Sequence, residues 1–106
     1  MEILFNMNVT PIYPASSPQY IAQATTILKQ EEVIVFPTET VYGLGGDATS
    51  DIAVAKIYAL KNRPTFNPLI IHVATLAAAE KLAMFSADAK KLAKLFWPGP
   101  LTLVLP

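Results

Sequence analysis

Three short, almost wholly apolar runs constrain this chain most: VIVF (Val33 to Phe36), LIIHV (Leu69 to Val73) and LTLVL (Leu101 to Leu105). Runs of this length bounded by turn-forming residues read as strands buried on both faces. Between them lie segments with helical spacing. SSPQYIAQATTILKQEE places Ser17 as a cap and Pro18 at the first helical position, with Ile21, Ala24, Thr25 and Leu28 on one face. SDIAVAKIYALK is a second helix, capped by Ser50 or Asp51, with Ala53, Ile57 and Leu60 along its inner face. TLAAAEKLAMF and SADAKKLAKLF form a third and a fourth, capped by Thr75 and Ser86, and WPGP breaks the chain before the last strand. Near the start, ILF and VTPIYP are short extended candidates. Strands alternating with helices predict an α/β fold: a twisted, partly parallel mixed sheet flanked by helices.

Composition excludes several classes of chemistry. The 106 residues suit one small domain, and no apolar run approaches the roughly 18 residues that span a membrane. Cysteine is absent, which removes disulfides, thiol nucleophiles and cysteine zinc sites; a single histidine removes multi-histidine metal sites. No secretory leader pattern opens the chain, so a cytoplasmic location without membrane attachment is expected. Eight basic residues balance eight acidic ones, so no global field draws a nucleic-acid backbone. Lys56, Lys61 and Arg63 form the one candidate basic patch, whereas Lys90, Lys91 and Lys94 have the spacing of a solvated helix face.

In α/β sheets ligands gather on loops at strand ends. Here those loops are PTETVYGLGG and KNRPTFNP. Gly43-Leu44-Gly45-Gly46-Asp47-Ala48 fits the permissive dinucleotide pattern G-x-G-x-x-A, but six residues, Pro37 to Tyr42, separate it from the strand. The acidic residue expected about 20 positions on is missing, and no Lys-Ser/Thr pair completes a phosphate loop. The glycines then either make a tight turn or line a site. If the segment is extended, Thr38 and Thr40 share one face and Glu39 takes the other. Their hydroxyls either build a local turn or line a pocket for a small polar ligand.

Lys61 and Arg63, stiffened by Pro64, either complement a helix C-terminus or grip a polyphosphate, with Asn67 nearby as an amide partner. Along LIIHV, alternation sets Leu69, Ile71 and Val73 on one side, and Ile70 and His72 on the other. His72 is either a satisfied core histidine or a site residue. Glu39, Asp47 and Asp51 lie near the glycines, but their spacing demands no metal. No residue has the partners of a covalent nucleophile, which favours substrate positioning with electrostatic help.

FPTETVYGLGGDA, AVAKIYALKNRPTFNPLIIHV and FWPGPLTLVLP, in that order, resemble the YrdC-like family of threonylcarbamoyl-AMP synthases. The resemblance runs from about residue 19 to 106 and implies the N-terminal part of a single YrdC-like domain, incomplete here. The family reaction joins L-threonine, bicarbonate and ATP into threonylcarbamoyl-AMP with release of pyrophosphate. Partner proteins then transfer the threonylcarbamoyl group to adenosine 37 of tRNAs, forming t6A. By this resemblance Thr40 and His72 bind threonine, Lys61, Arg63 and Asn67 bind ATP, and Thr38, Tyr42, Gly43 and Gly45 line the cavity. Mg²⁺ accompanies the ATP.

Family domains are about twice this length, so the chain is expected to be a fragment with little activity alone. Two other readings stand beside it: a non-catalytic RNA-binding module, or a YrdC-like domain of the kind found in carbamoyltransferases. The strand Leu101 to Leu105, ending the chain, is an expected edge for oligomer formation.

Overall fold

The computed structural model describes residues 10–62, 64 and 67–106. Its elements are α1 (Pro18–Lys29), β1 (Ile34–Phe36), β2 (Gly43–Gly45), α2 (Asp51–Lys61), α3 (Leu76–Glu80) and α4 (Ala87–Phe96). They fall into two units: one ends at Asn62 and holds α1 to α2, and the other continues to Pro106 and holds α3 and α4. The extended candidate ILF lies outside the described residues.

α1 starts where Pro18 pre-sets the helical φ. Ser17 occupies the cap position, but its hydroxyl makes no cap bond, contrary to expectation. The proline's fixed geometry supplies the start instead. Tyr20 stacks on Tyr13 at 4.4 Å between ring centroids. The helix ends in a Schellman arrangement: the Glu31 amide donates to the Leu28 carbonyl at 3.1 Å and the Glu32 amide to Ile27 at 3.3 Å. Glu31 therefore sits at φ 62°, where glycine is usual.

The reason for a glutamate at that strained position is tertiary. Its carboxylate accepts the Ser50 hydroxyl at 2.5 Å, and its carbonyl accepts Lys56 Nζ at 3.2 Å. Lys56 also forms an ion pair with Glu32. Ser50 in turn caps α2 by accepting from the Ala53 amide at 3.1 Å, and is buried. One hydroxyl thus joins the end of α1 to the start of α2. Ser50→Ala is expected to cost about 2 kcal/mol, roughly half for the lost cap and half for the lost bond to a charged group. Urea unfolding of both proteins checks it, and a cost under about 0.5 kcal/mol would remove the junction from the stability account.

β1 and β2 form an antiparallel ladder with Ile34 opposite Gly45, Val35 opposite Leu44 and Phe36 opposite Gly43. This removes the tight-turn reading of the glycines: Gly43 and Gly45 lie in a strand, Gly46 follows it, and none of the three has a positive φ. The Phe36 ring explains the identity of Gly45, where a Cβ would lie 2.6 Å from Phe36 Cε1, in space the ring occupies. On Gly43 a Cβ would lie 3.4 Å from Cζ, at the edge of ordinary contact.

α2 buries Ala53 and Ile57 as expected, but Leu60 is 65 % exposed. Leu60 stands in the last turn of α2, one residue before its end and beyond the buried stretch from Ala53 to Ile57. Asn62, at φ 49°, ends the helix with its amide donating to Ala59 at 3.2 Å.

In the second unit Thr75 and Ser86 cap α3 and α4, each accepting an amide at 3.1 Å. α3 stops at Glu80, short of the expected Phe85. The two helices meet through small residues, with Ala79, Ala89 and Ala93 buried. Lys90 pairs with Glu80 at 2.9 Å across them.

Neither Leu69–Val73 nor Leu101–Leu105 forms a ladder among the described residues. The expected partly parallel mixed sheet is therefore replaced, among those residues, by the single antiparallel pair. Apolar patterning makes a segment extended, but only a neighbour's backbone makes it a strand. Leu101–Leu105 keeps the alternation, with Leu101, Leu103 and Leu105 half-buried and Thr102 and Val104 exposed. Its ends are held by the Trp97 indole donating to the Leu101 carbonyl and the Met84 amide donating to Pro106, both at 2.8 Å. In the earlier run Leu69 and Val73 are half-buried, but Ile71 is exposed, against the expected pattern.

Candidate functional site

The six residues Pro37 to Tyr42, which spoiled the dinucleotide pattern, are the connection of the β1–β2 hairpin. The chain is not extended there: Glu39 to Val41 form a bend. The premise that placed Thr38 and Thr40 on one face therefore fails, and the two hydroxyls part company. Thr38 Oγ1 accepts from the amides of Thr40 at 3.3 Å and Val41 at 3.2 Å, and donates to the Val41 carbonyl. Its hydroxyl builds the turn. Thr40 is exposed, and its hydroxyl makes no hydrogen bond among the described residues. Tyr42 projects beside it, 75 % exposed, and leads directly into Gly43.

Beyond β2 the chain turns again. Asp47 accepts from both the hydroxyl and the amide of Thr49, at 2.7 and 2.8 Å. The hydroxyl first, then the amide, hold its carboxyl below the ordinary aspartate range. One Asp47 oxygen is thus already engaged. Among the described residues no three histidine, aspartate or glutamate side chains gather as a metal-ligand set.

Lys61 lies exposed in the last turn of α2, about 16 Å along the helix from Ser50. There its charge complements the helix C-terminus while remaining open to solvent. Lys56 leaves the expected basic patch, because Glu32 and the Glu31 carbonyl hold it. Arg63 lies outside the described residues. Asn67, half-buried in the second unit, donates its backbone N–H to the Pro64 carbonyl at 3.1 Å. His72, in the same unit, is exposed rather than a core residue, with Nδ1 3.4 Å from the Ile70 carbonyl oxygen.

The hairpin therefore brings together Thr38, Thr40, Tyr42, Gly43 and Gly45, and Lys61 stands at the far end of the same unit's last helix. Sequence reasoning missed β2 and the Glu31–Ser50 junction. The first had a faint signal, an aromatic residue closing one strand and two alternate glycines after a six-residue gap. The second had none, since its partners are 19 residues apart.

The family model described as "Telomere recombination" (Sua5, YciO and YrdC) matches residues 26–106, so the chain belongs to that family. It is 50 % identical over 101 residues to the threonylcarbamoyl-AMP synthase of Bacillus subtilis (strain 168), covering 94 % of this chain and 29 % of that protein. It is 51 % identical over 84 residues to the threonylcarbamoyl-AMP synthase of Pyrococcus abyssi (strain GE5 / Orsay), covering 78 % of this chain and 25 % of that protein. The crystal structure of P. abyssi Sua5 complexed with L-threonine is similar with a TM-score of 0.80 and 49 % identity, over 83 % of this chain and 26 % of that one. The chain thus spans less than a third of the length of these relatives. The α/β fold is that of Sua5 over the matched part. Among the described residues no helix is long and apolar enough to cross a membrane.

Proposed function

We propose that this chain forms the N-terminal part of a YrdC-like domain that synthesises threonylcarbamoyl-AMP from L-threonine, bicarbonate and ATP, releasing pyrophosphate. The observation that carries this reading is the likeness to a Sua5 solved with L-threonine, at 49 % identity and a TM-score of 0.80. The hairpin agrees with it. Thr40 presents a hydroxyl with no hydrogen-bond partner among the described residues, in the exposed connection between β1 and β2.

In the proposed chemistry the threonine amine and bicarbonate condense to a carbamate, with loss of water. A carbamate oxygen attacks the α-phosphorus of ATP, and the bond to the pyrophosphate oxygen breaks. The product is the first intermediate of t6A formation on tRNA, and the transfer proteins and tRNA are later partners. No covalent enzyme intermediate is needed, so the residues position and neutralise. Thr40 and His72 hold threonine. Lys61, Arg63 and Asn67 take the nucleotide, with Lys61 offering a point charge to the phosphates. The described residues offer no three-ligand set for Mg²⁺, so the ion is proposed only as the counter-ion that ATP carries.

The natural polypeptide carrying these residues should release pyrophosphate from ATP only when L-threonine and bicarbonate are both present. Folded protein with no release above background would refute the synthase reading.

A further inference from the structure

Thr38 is placed by the resemblance on the cavity wall, yet its hydrogen bonds leave it nothing to offer a ligand. A hydroxyl has one donor and two acceptor positions. The two amides of Thr40 and Val41 fill the acceptors, and the Val41 carbonyl takes the donor. From this we infer that Thr38 is a positioning residue: its hydroxyl closes the turn that fixes Thr40 as the amino-acid contact, without touching the substrate itself. The inference rests on the reading of Thr40 as the threonine-binding residue.

Three features give the hydroxyl that task. The loop is exposed from Pro37 to Tyr42, so packing does little to hold it. The backbone at Thr40 is bonded through the Thr38 side chain. The Thr38 methyl rests beside Gly43, where an added Cβ would lie 3.5 Å from Cγ2, so methyl and hydroxyl have separable roles. Valine keeps the methyl shape and loses the hydroxyl, whereas serine keeps the hydroxyl and loses the methyl.

The test measures L-threonine affinity, ATP affinity and the unfolding midpoint for the natural full-length polypeptide, Thr38→Val and Thr38→Ser. Thr38→Val should weaken threonine binding about tenfold, the loss of a net hydrogen bond or two, with ATP affinity within about twofold. Thr38→Ser should restore threonine binding to within about twofold of wild type. Unchanged threonine binding in Thr38→Val, equal loss for both ligands, or a Thr38→Ser no better than the valine each overturns the inference alone. Wild type that binds ATP but no threonine overturns the synthase reading and this inference together. Should Thr38→Val fail to fold, amide hydrogen exchange of the wild type decides. Thr40 and Val41 should exchange more slowly than Glu39, and equal rates overturn the inference.

Discussion

Thr40→Val is expected to raise the L-threonine requirement of the natural polypeptide about 10–100-fold while leaving ATP binding within about twofold. The substitution keeps the branched shape and removes the threonine hydroxyl of the hairpin loop that the turn does not use. A site built to hydrogen-bond its ligand loses more than the bond itself, because the ligand's polar group is left without a partner. The hairpin should survive, since Thr38 and not Thr40 supplies its side-chain bonds. Steady-state rates of pyrophosphate release, with each substrate varied in turn, check this. Equal damage to threonine and ATP dependence would assign Thr40 a structural role instead.

Gly45→Ala should lower stability by about 2 kcal/mol, where alanine in place of a strand glycine ordinarily gains about 0.5–1 kcal/mol. The φ of Gly45 is not positive, so alanine meets no backbone strain. All of the cost comes from the Phe36 ring, 2.6 Å from the new Cβ. That makes the prediction separable by a double-mutant cycle. Gly45→Ala combined with Phe36→Leu should cost clearly less than the sum of the two single changes, with a coupling of about 1 kcal/mol or more. Urea unfolding supplies the four stabilities. Simple additivity would mean that the ring moves aside freely and that the glycines have another purpose.

The parts of the fold legible in the sequence are those decided within one turn of chain. Ser50, Thr75 and Ser86 were readable as caps because a capping hydroxyl bonds an amide three residues on. Ala53 and Ile57 were readable as the inner face of α2 from spacing alone. Leu60 had the same spacing, but it is exposed, because burial depends on which distant residues fold against the last turn of the helix. The site followed the same division. That Thr38, Thr40 and Lys61 matter was carried by motif and resemblance. Which threonine hydroxyl the turn uses, and that Lys56 is paired, was not.

By itself the sequence determined an α/β chain, the starts of three of its four helices by hydroxyl caps, the extended character of VIVF and LTLVL, and membership in its family. It did so because caps, helical spacing and motif order are properties of neighbouring residues. Only the tertiary structure decided that Gly43 and Gly45 lie in a strand beside Phe36, that Glu31 accepts an unfavourable backbone to reach Ser50, that Lys56 pairs with Glu32, and that Thr38 is consumed by its own turn. Most of these are pairings between groups that the chain must fold to bring together. Hydrogen bonds, ion pairs and ring contacts act over a few ångströms of space, whatever their separation along the sequence.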